Sequence, residues 1–193
     1  MRTRKDELID KLIEYFTQHG VADVSLRPMA AEVGTSARLL IFHFRSKEQL
    51  LAEVLSEMQR RLQASLLELV PVPGSRAGAR RASPLRKFWR WATDDAHLPS
   101  LRLLYHLQML AILNPDTYGG LLTAQSTDWI DLIKRYLPSA QRSATTATLF
   151  VAVFDGLFLE LLSTGDRRRT TRALERFIRM GRMEGKGIRR AHA

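Results

Sequence analysis

Asp94, Asp95 and His97 crowd oxygen and nitrogen donors into four residues near an expected helix end. With His106 they are the groups a small hydrolytic or metal-assisted enzyme would use. No second histidine stands at ligand spacing, however, and carboxylates at a helix end are ordinary surface chemistry. The chain has no cysteine, which removes thiolate ligands, disulfides and sulfur nucleophiles. No nucleophile lies beside a base, and no glycine-rich loop could cradle a phosphate. The sequence therefore names no catalytic residue, no metal and no cofactor; a small helical enzyme stays as an alternative reading.

Other residues suit binding rather than bond-making. Trp89, Trp91, Tyr105, His106, Gln108, Met109 and Trp129 set aromatic and thioether surface beside a few polar groups, which is how small-molecule pockets are lined. At helical spacing the same residues would fill any helical core. Asp155 stands in an apolar run, on one face with Val151, Phe158 and Leu162. It either pairs with a basic group at the interface or points into a ligand cavity. The paired role is favoured, because buried charges are usually paired.

That run, residues 149–162, is apolar almost all round, so its helix must be covered on two sides. Its own domain can cover one side and a second copy of the chain the other. Interrupted by Asp155 and Glu160, it is too short to span a bilayer. Further on, Arg167, Arg168, Arg169, Arg172, Arg176 and Arg179 form a basic stripe opposite Leu174, Phe177 and Ile178. This reads as the solvated face of an amphipathic helix.

Helices must hold all of these groups. No segment alternates as a strand does, and 193 residues with 45% hydrophobic content suffice for a proper core, so the fold class is all-α. Residues 4–19 are amphipathic, with Leu8, Ile9, Leu12, Ile13 and Phe16 on one side and Gly20 as the stop. A long helix starts near Ser46, where Ser46 and Gln49 fit a capping box. Residues 71–84 gather Pro, Gly, Ser and Arg and read as a mobile loop. Helical patterns follow at roughly 85–95, 100–113, 118–136, 139–164 and 167–183, with breaks at Pro99, Asn114-Pro115, Pro138 and Gly165. Residues 184–193 have little reason to fold. The charged N-terminus lacks the apolar core of a signal peptide, so a cytoplasmic protein with no membrane partner is expected.

Between the first and the long helix lies the most specific pattern. Leu26, Met29, Ala30 and Val33 give one apolar helical face, and Gly34 follows where a helix end commonly turns left-handed. Thr35 or Ser36 can cap the next helix, whose buried side is Leu40 and Phe44. Ala30 is small where two crossing helices approach. This is the layout of a helix-turn-helix, whose second helix enters the major groove of DNA. The net charge of +10 does not identify that function: residues 1–70 hold 10 basic and 10 acidic residues, and residues 71–193 hold 20 and 10.

Over residues 4–55 the chain resembles the TetR family of transcriptional regulators, through Gly20, the Ala30/Gly34 pair, His43-Phe44 and Ser46-Lys47-Glu48. The resemblance implies an N-terminal three-helix DNA-binding domain at 1–48 and a helical ligand-binding and dimerisation domain at 49–193. It implies a homodimer that represses from a palindromic double-stranded DNA operator until a small, largely apolar effector releases it. Ser25 and Arg27 would hold phosphates, and Thr35, Ser36, Ala37, Arg38 and Leu39 would face base edges. Ile41 and Phe42 stand where the family often has two tyrosines; His43 and Lys47 would lie beside the backbone. The family commonly has Lys-Gly-Thr where this chain has Ala37-Arg38-Leu39, so the operator sequence does not carry over. The Arg38 fork suits the O6/N7 edge of guanine. The expected effector site is Trp89, Tyr105, His106, Gln108, Met109, Trp129, Asp155 and Phe158. The expected dimer interface is Val153, Phe154, Leu157, Leu161, Leu174, Phe177 and Ile178. A module that kept this fold but lost DNA binding is the remaining alternative.

Overall fold

A computed structural model describes residues 3–21, 25–69 and 83–191, the stretch 182–191 by its backbone only. Every regular element in it is helical. The expected mobile loop at 71–84 falls almost wholly outside the described residues.

Thr3 opens α1 (Arg4–His19) through a full capping box: its hydroxyl accepts from Asp6 N at 3.2 Å, and the Asp6 carboxylate accepts from Thr3 N at 2.8 Å. Leu8, Ile9, Leu12 and Phe16 are buried along one face, and Gly20 ends the helix at φ +76°. In α2 (Leu26–Glu32) Met29 and Ala30 are buried. Gly34 then turns the chain at φ +72°. Ser36 caps α3 (Ala37–Phe44), its hydroxyl accepting from Leu39 N at 3.2 Å, while Leu40 and Phe44 are fully buried.

The join between α3 and α4 (Lys47–Leu69) was not foreseen in the sequence. Arg45 adopts φ +67° and ψ −46°, and Ser46 N donates to Phe44 O at 2.8 Å across it. That is a γ-turn of the rare positive-φ kind, in which a side chain is strained. Ser46 then accepts from Gln49 N at 3.1 Å, which is one half of the expected capping box. The Gln49 amide reaches forward to Glu53 instead of back to the cap.

The second half is a bundle of α5 (Pro84–Ala92), α6 (Leu98–Leu113), α7 (Pro115–Lys134), α8 (Ala144–Thr164) and α9 (Arg167–Ala191). α7 packs on α4, α6 and α8, and α8 packs on α9. α4 is common to both halves: α1 and α3 pack on it, and so do α5, α6 and α7. The buried side chains form one continuous core from Leu8 to Ile178.

Four boundaries differ from expectation for identifiable reasons. Pro99 and Pro115 sit in the first turns of α6 and α7, where the missing N–H costs nothing, so they start helices rather than break them. Pro138 leads into a single 3-10 turn at Ser139–Gln141, and α8 begins only after Ser143 caps it. The backbone of α9 continues to Ala191, through the tail expected to be unfolded; once a helix is nucleated, each added residue gains a hydrogen bond.

Candidate nucleic-acid interface and internal cavity

α2, the Gly34 turn, α3 and the first turn of α4 present one outer surface. Ser25 caps α2 by position, but its side chain makes no cap hydrogen bond; Ser25, Arg27, Ser36 and Arg38 are exposed. Ala37, Leu39, His43 and Lys47 are half-buried. His43 lies edge-on to Phe42 and Phe44, with ring centroids at 5.3 and 6.5 Å. Thr35 is turned inward, its hydroxyl buried without a partner. Ile41 is 39% exposed and Phe42 77% exposed. Leaving a phenylalanine side chain in water forgoes about 2 kcal/mol of burial, which marks a contact surface.

The even charge count over residues 1–70 conceals a separation. Acids and their partners are gathered along α1, α2 and α4: Arg4–Glu7, Lys5–Glu53, Arg61–Asp10, Arg60–Glu57 and His19–Glu32. Residues 33–47 contain no acid. Arg27, Arg38, Arg45 and Lys47 make no salt bridge to any described residue. The head is thus neutral in sum and cationic on the α2–α3 side. Lys47 also stands at the N-terminus of α4, where the helix dipole disfavours a cation.

Between α4, α5, α6, α7 and α8 lies a cavity of about 430 Å³. Tyr105, Gln108, Trp129, Asp155 and Phe158 line it, as the sequence suggested. Trp89, His106 and Met109 do not. Trp89 is buried behind the wall, stacked on Phe158 at 5.0 Å and donating its indole N–H to Thr171 at 2.9 Å. His106 and Met109 follow Tyr105 and Gln108 by one residue, a rotation of about 100° that carries them to the outer face. Trp91 instead lines a smaller cavity of about 190 Å³ beside Ile13, Met58 and His97.

The cavity's lining is mainly apolar, with polar groups set among the hydrocarbon and aromatic side chains. The Tyr105 hydroxyl donates to Asp155 Oδ1 at 2.7 Å. Asp155 lines the cavity and has no basic partner among the described residues. Burial pushes its carboxyl above the ordinary range, partly offset by the Tyr105 hydrogen bond. Burial, and then the Asp155 charge, push the Tyr105 hydroxyl well above its usual range. Gln59 accepts from the Trp129 indole N–H. Gln125 is 9% exposed, and both its amide atoms are buried without a partner. Neither glutamine was singled out in the sequence, although each stands at an apolar position of its helix: Gln59 after Leu55 and Met58, Gln125 between Leu121, Leu122 and Trp129.

The remaining candidates resolve as structure. Asp94 accepts from Ala96 N, Asp95 pairs with Arg167, and His97 Nδ1 meets Trp91 O at 2.7 Å, so the three do not converge. Among the described residues no cluster of three metal-ligating side chains exists. α8 is, by length and composition, long enough to cross a membrane, which corrects the shorter estimate from residues 149–162. It packs here between α7 and α9, with Phe154, Phe158 and Leu161 in the core. Four of the seven residues expected at a dimer interface, Phe154, Leu161, Leu174 and Ile178, are buried in the protomer itself. Val153, Leu157 and Phe177 are half-buried. The outward apolar face of α8 is instead Leu149, Ala152, Gly156 and Leu159, with Leu149 55% and Leu159 41% exposed.

Residues 8–54 match the family model for bacterial regulatory proteins, tetR family. Among solved structures, the multidrug binding protein EbrR complexed with imidazole superposes with a TM-score of 0.69 at 23% identity, over 91% of this chain and 95% of that one. EbrR is also matched in complexes with ethidium and with proflavin. A transcriptional regulator from Rhodococcus sp. Rha1 gives 0.68 at 20% identity, over 84% and 86%. SmeT, the repressor of the Stenotrophomonas maltophilia multidrug efflux pump SmeDEF, gives 0.54 at 16%, over 89% and 84%. No curated protein matches. Residues 8–54 thus carry the pattern of the tetR family of bacterial regulatory proteins, and the described helices share the fold of these solved structures.

Proposed function

We propose that this chain is a sequence-specific DNA-binding transcriptional repressor, acting in the cytoplasm as a homodimer and released from its operator by a small, largely apolar effector. The observation that carries the reading is the helix-turn-helix surface itself. An exposed α3 with Arg38, Ile41 and Phe42 is flanked by Arg27, Arg45 and Lys47, none of them neutralised by a salt bridge to a described residue. A packing surface would pair or bury these groups; a polyanion with apolar base edges suits them as they stand. Ser25, Arg27, His43 and Lys47 serve as backbone contacts, and Ser36, Ala37, Arg38 and Leu39 as base-facing ones. The outward face of α8, from Leu149 through Ala152 and Gly156 to Leu159, supplies the dimer surface together with α9. The 430 Å³ cavity supplies the effector site. Support for an effector of that kind comes from EbrR, which carries imidazole, ethidium or proflavin in the same fold.

A two-fold dimer sets its two recognition helices about one DNA turn (~34–36 Å) apart, so the operator is a near-palindrome. Selection from sheared genomic DNA, followed by footprinting, should return an inverted repeat bound by a dimer. Recovery of asymmetric, unrelated fragments would overturn the assignment.

A further inference from the structure

We propose that the cavity is built for an apolar organic cation, one of whose N–H groups bonds the Asp155 carboxylate while a second polar edge meets the Gln125 amide. The inference rests on the effector-site reading above and gives that site its chemistry. Asp155 stands on α8 in a cavity wall that includes the apolar side chains of Leu62, Phe88, Leu104, Phe154 and Phe158. Its one hydrogen bond comes from a neutral phenol. A carboxylate removed from water with no counter-charge is costly unless a partner arrives. The fold supplies no such cation among the described residues, and a cationic ligand would bring one.

Gln125 is the independent second observation. Its amide N and O are both buried in the same wall and bonded to nothing, although a rotation could place one of them on a ligand. Buried polar atoms are ordinarily satisfied, and an unpaired primary amide beside a cavity offers both a donor and an acceptor. The aromatic faces of Phe88, Phe154 and Trp129 suit a flat cation by ring–charge attraction as well as by burial. A neutral hydrocarbon would leave both polar groups unanswered, and an anion would be repelled by Asp155.

Matched three-ring probes test this with the full chain in the absence of DNA. 9-Aminoacridine is a cation at neutral pH with polar groups on opposite edges; acridine has nearly the same shape and is neutral. Fluorescence titration should give at least tenfold tighter binding of the cation. Asp155→Asn, which keeps an acceptor for Tyr105, should reduce that preference to within about threefold by weakening the cation and sparing acridine. Gln125→Leu should weaken 9-aminoacridine several-fold. Equal affinity of the wild-type chain for the two probes would overturn the cation assignment and leave the effector cavity intact. Failure of both probes to bind would overturn it together with the cavity reading. Either result is read on the wild-type protein, so the proposal does not depend on a variant that folds.

Discussion

Lys47→Ala separates DNA binding from folding. Lys47 occupies the first residue of α4, at the positive end of the helix dipole, with Glu48 behind it in the first turn. A cation in that place costs a helix about 0.3–1 kcal/mol. The cap survives the substitution, since it is the Ser46 hydroxyl that accepts from Gln49 N. The variant should therefore melt at the wild-type temperature or slightly above it. Its DNA affinity should fall, because one phosphate-facing charge is lost from each protomer and two from the dimer. At about 0.9 counterions per contact, the slope of log affinity against log salt should become shallower by about 1.8. Tripling the salt concentration would then weaken the variant about sevenfold less than the wild type. Anisotropy titrations on the selected operator across a salt series measure both slopes. Arg61→Ala is the control, since Arg61 is committed to Asp10 and Glu57 and should leave the slope unchanged. An unaltered slope in Lys47→Ala, or a loss of affinity matched by a loss of stability, would refute the phosphate assignment.

Three further outcomes are expected. Gln125→Leu removes two unpaired buried polar atoms at similar volume, so it should stabilise the ligand-free protein by about 1–2 kcal/mol in urea unfolding. Asp155→Asn should be more thermostable than wild type at neutral pH and should lose that advantage in acid. Burial raises the Asp155 carboxyl above its ordinary 3.8, so between that value and the higher native one the folded chain holds a proton that the unfolded chain has lost, and wild-type stability falls as pH rises through the window. Gly34→Ala should cost about 1–2 kcal/mol, measured by denaturant melts, through φ +72° alone, because the new Cβ would meet only Lys11 Nζ at 3.6 Å.

What could be read from the sequence was what local rules decide. Gly34, Ser36, Leu40 and Phe44 carry their turn, cap and burial in their own identities and spacing, and the structure uses each as expected. The cationic face could not be found by counting, because its neutralising pairs are distant in sequence. Lys5 reaches Glu53 and Arg61 reaches Asp10 across folded helices. The cavity was legible only as a bias towards aromatic residues. Which of two adjacent residues lines it depends on the rotational setting of α6, so Tyr105 and Gln108 fall inside while His106 and Met109 fall outside. The same ambiguity holds for α8. A helix apolar all round does not disclose which side its own domain takes, and here α8 turns Phe154, Phe158 and Leu161 inward. Gln59 and Gln125 carry no such signal, because glutamine is ordinarily a surface residue and only the closed bundle buries these two.

The geometry also constrains how an occupied cavity could act on the head, which it does not touch. α4 carries Lys47 at one end and Gln59, Leu62 and Leu66 in the cavity wall. Lys47 and Leu62 lie roughly 22 Å apart along the helix. A tilt of about 5° pivoting near Leu62 would move the Lys47 end by roughly 2 Å, enough to break hydrogen-bond register on two half-sites at once. Leu62 and Leu104 line both the larger and the smaller cavity, and the smaller one reaches Ile13 of α1. Displacing that shared wall therefore presses on the contact of α1 with α6 as well as on α4. The proposed effector must bind the tilted state better than the DNA-bound one, since equal affinity for both would shift nothing. By reciprocity, saturating operator must weaken effector binding by the factor through which effector weakens operator binding.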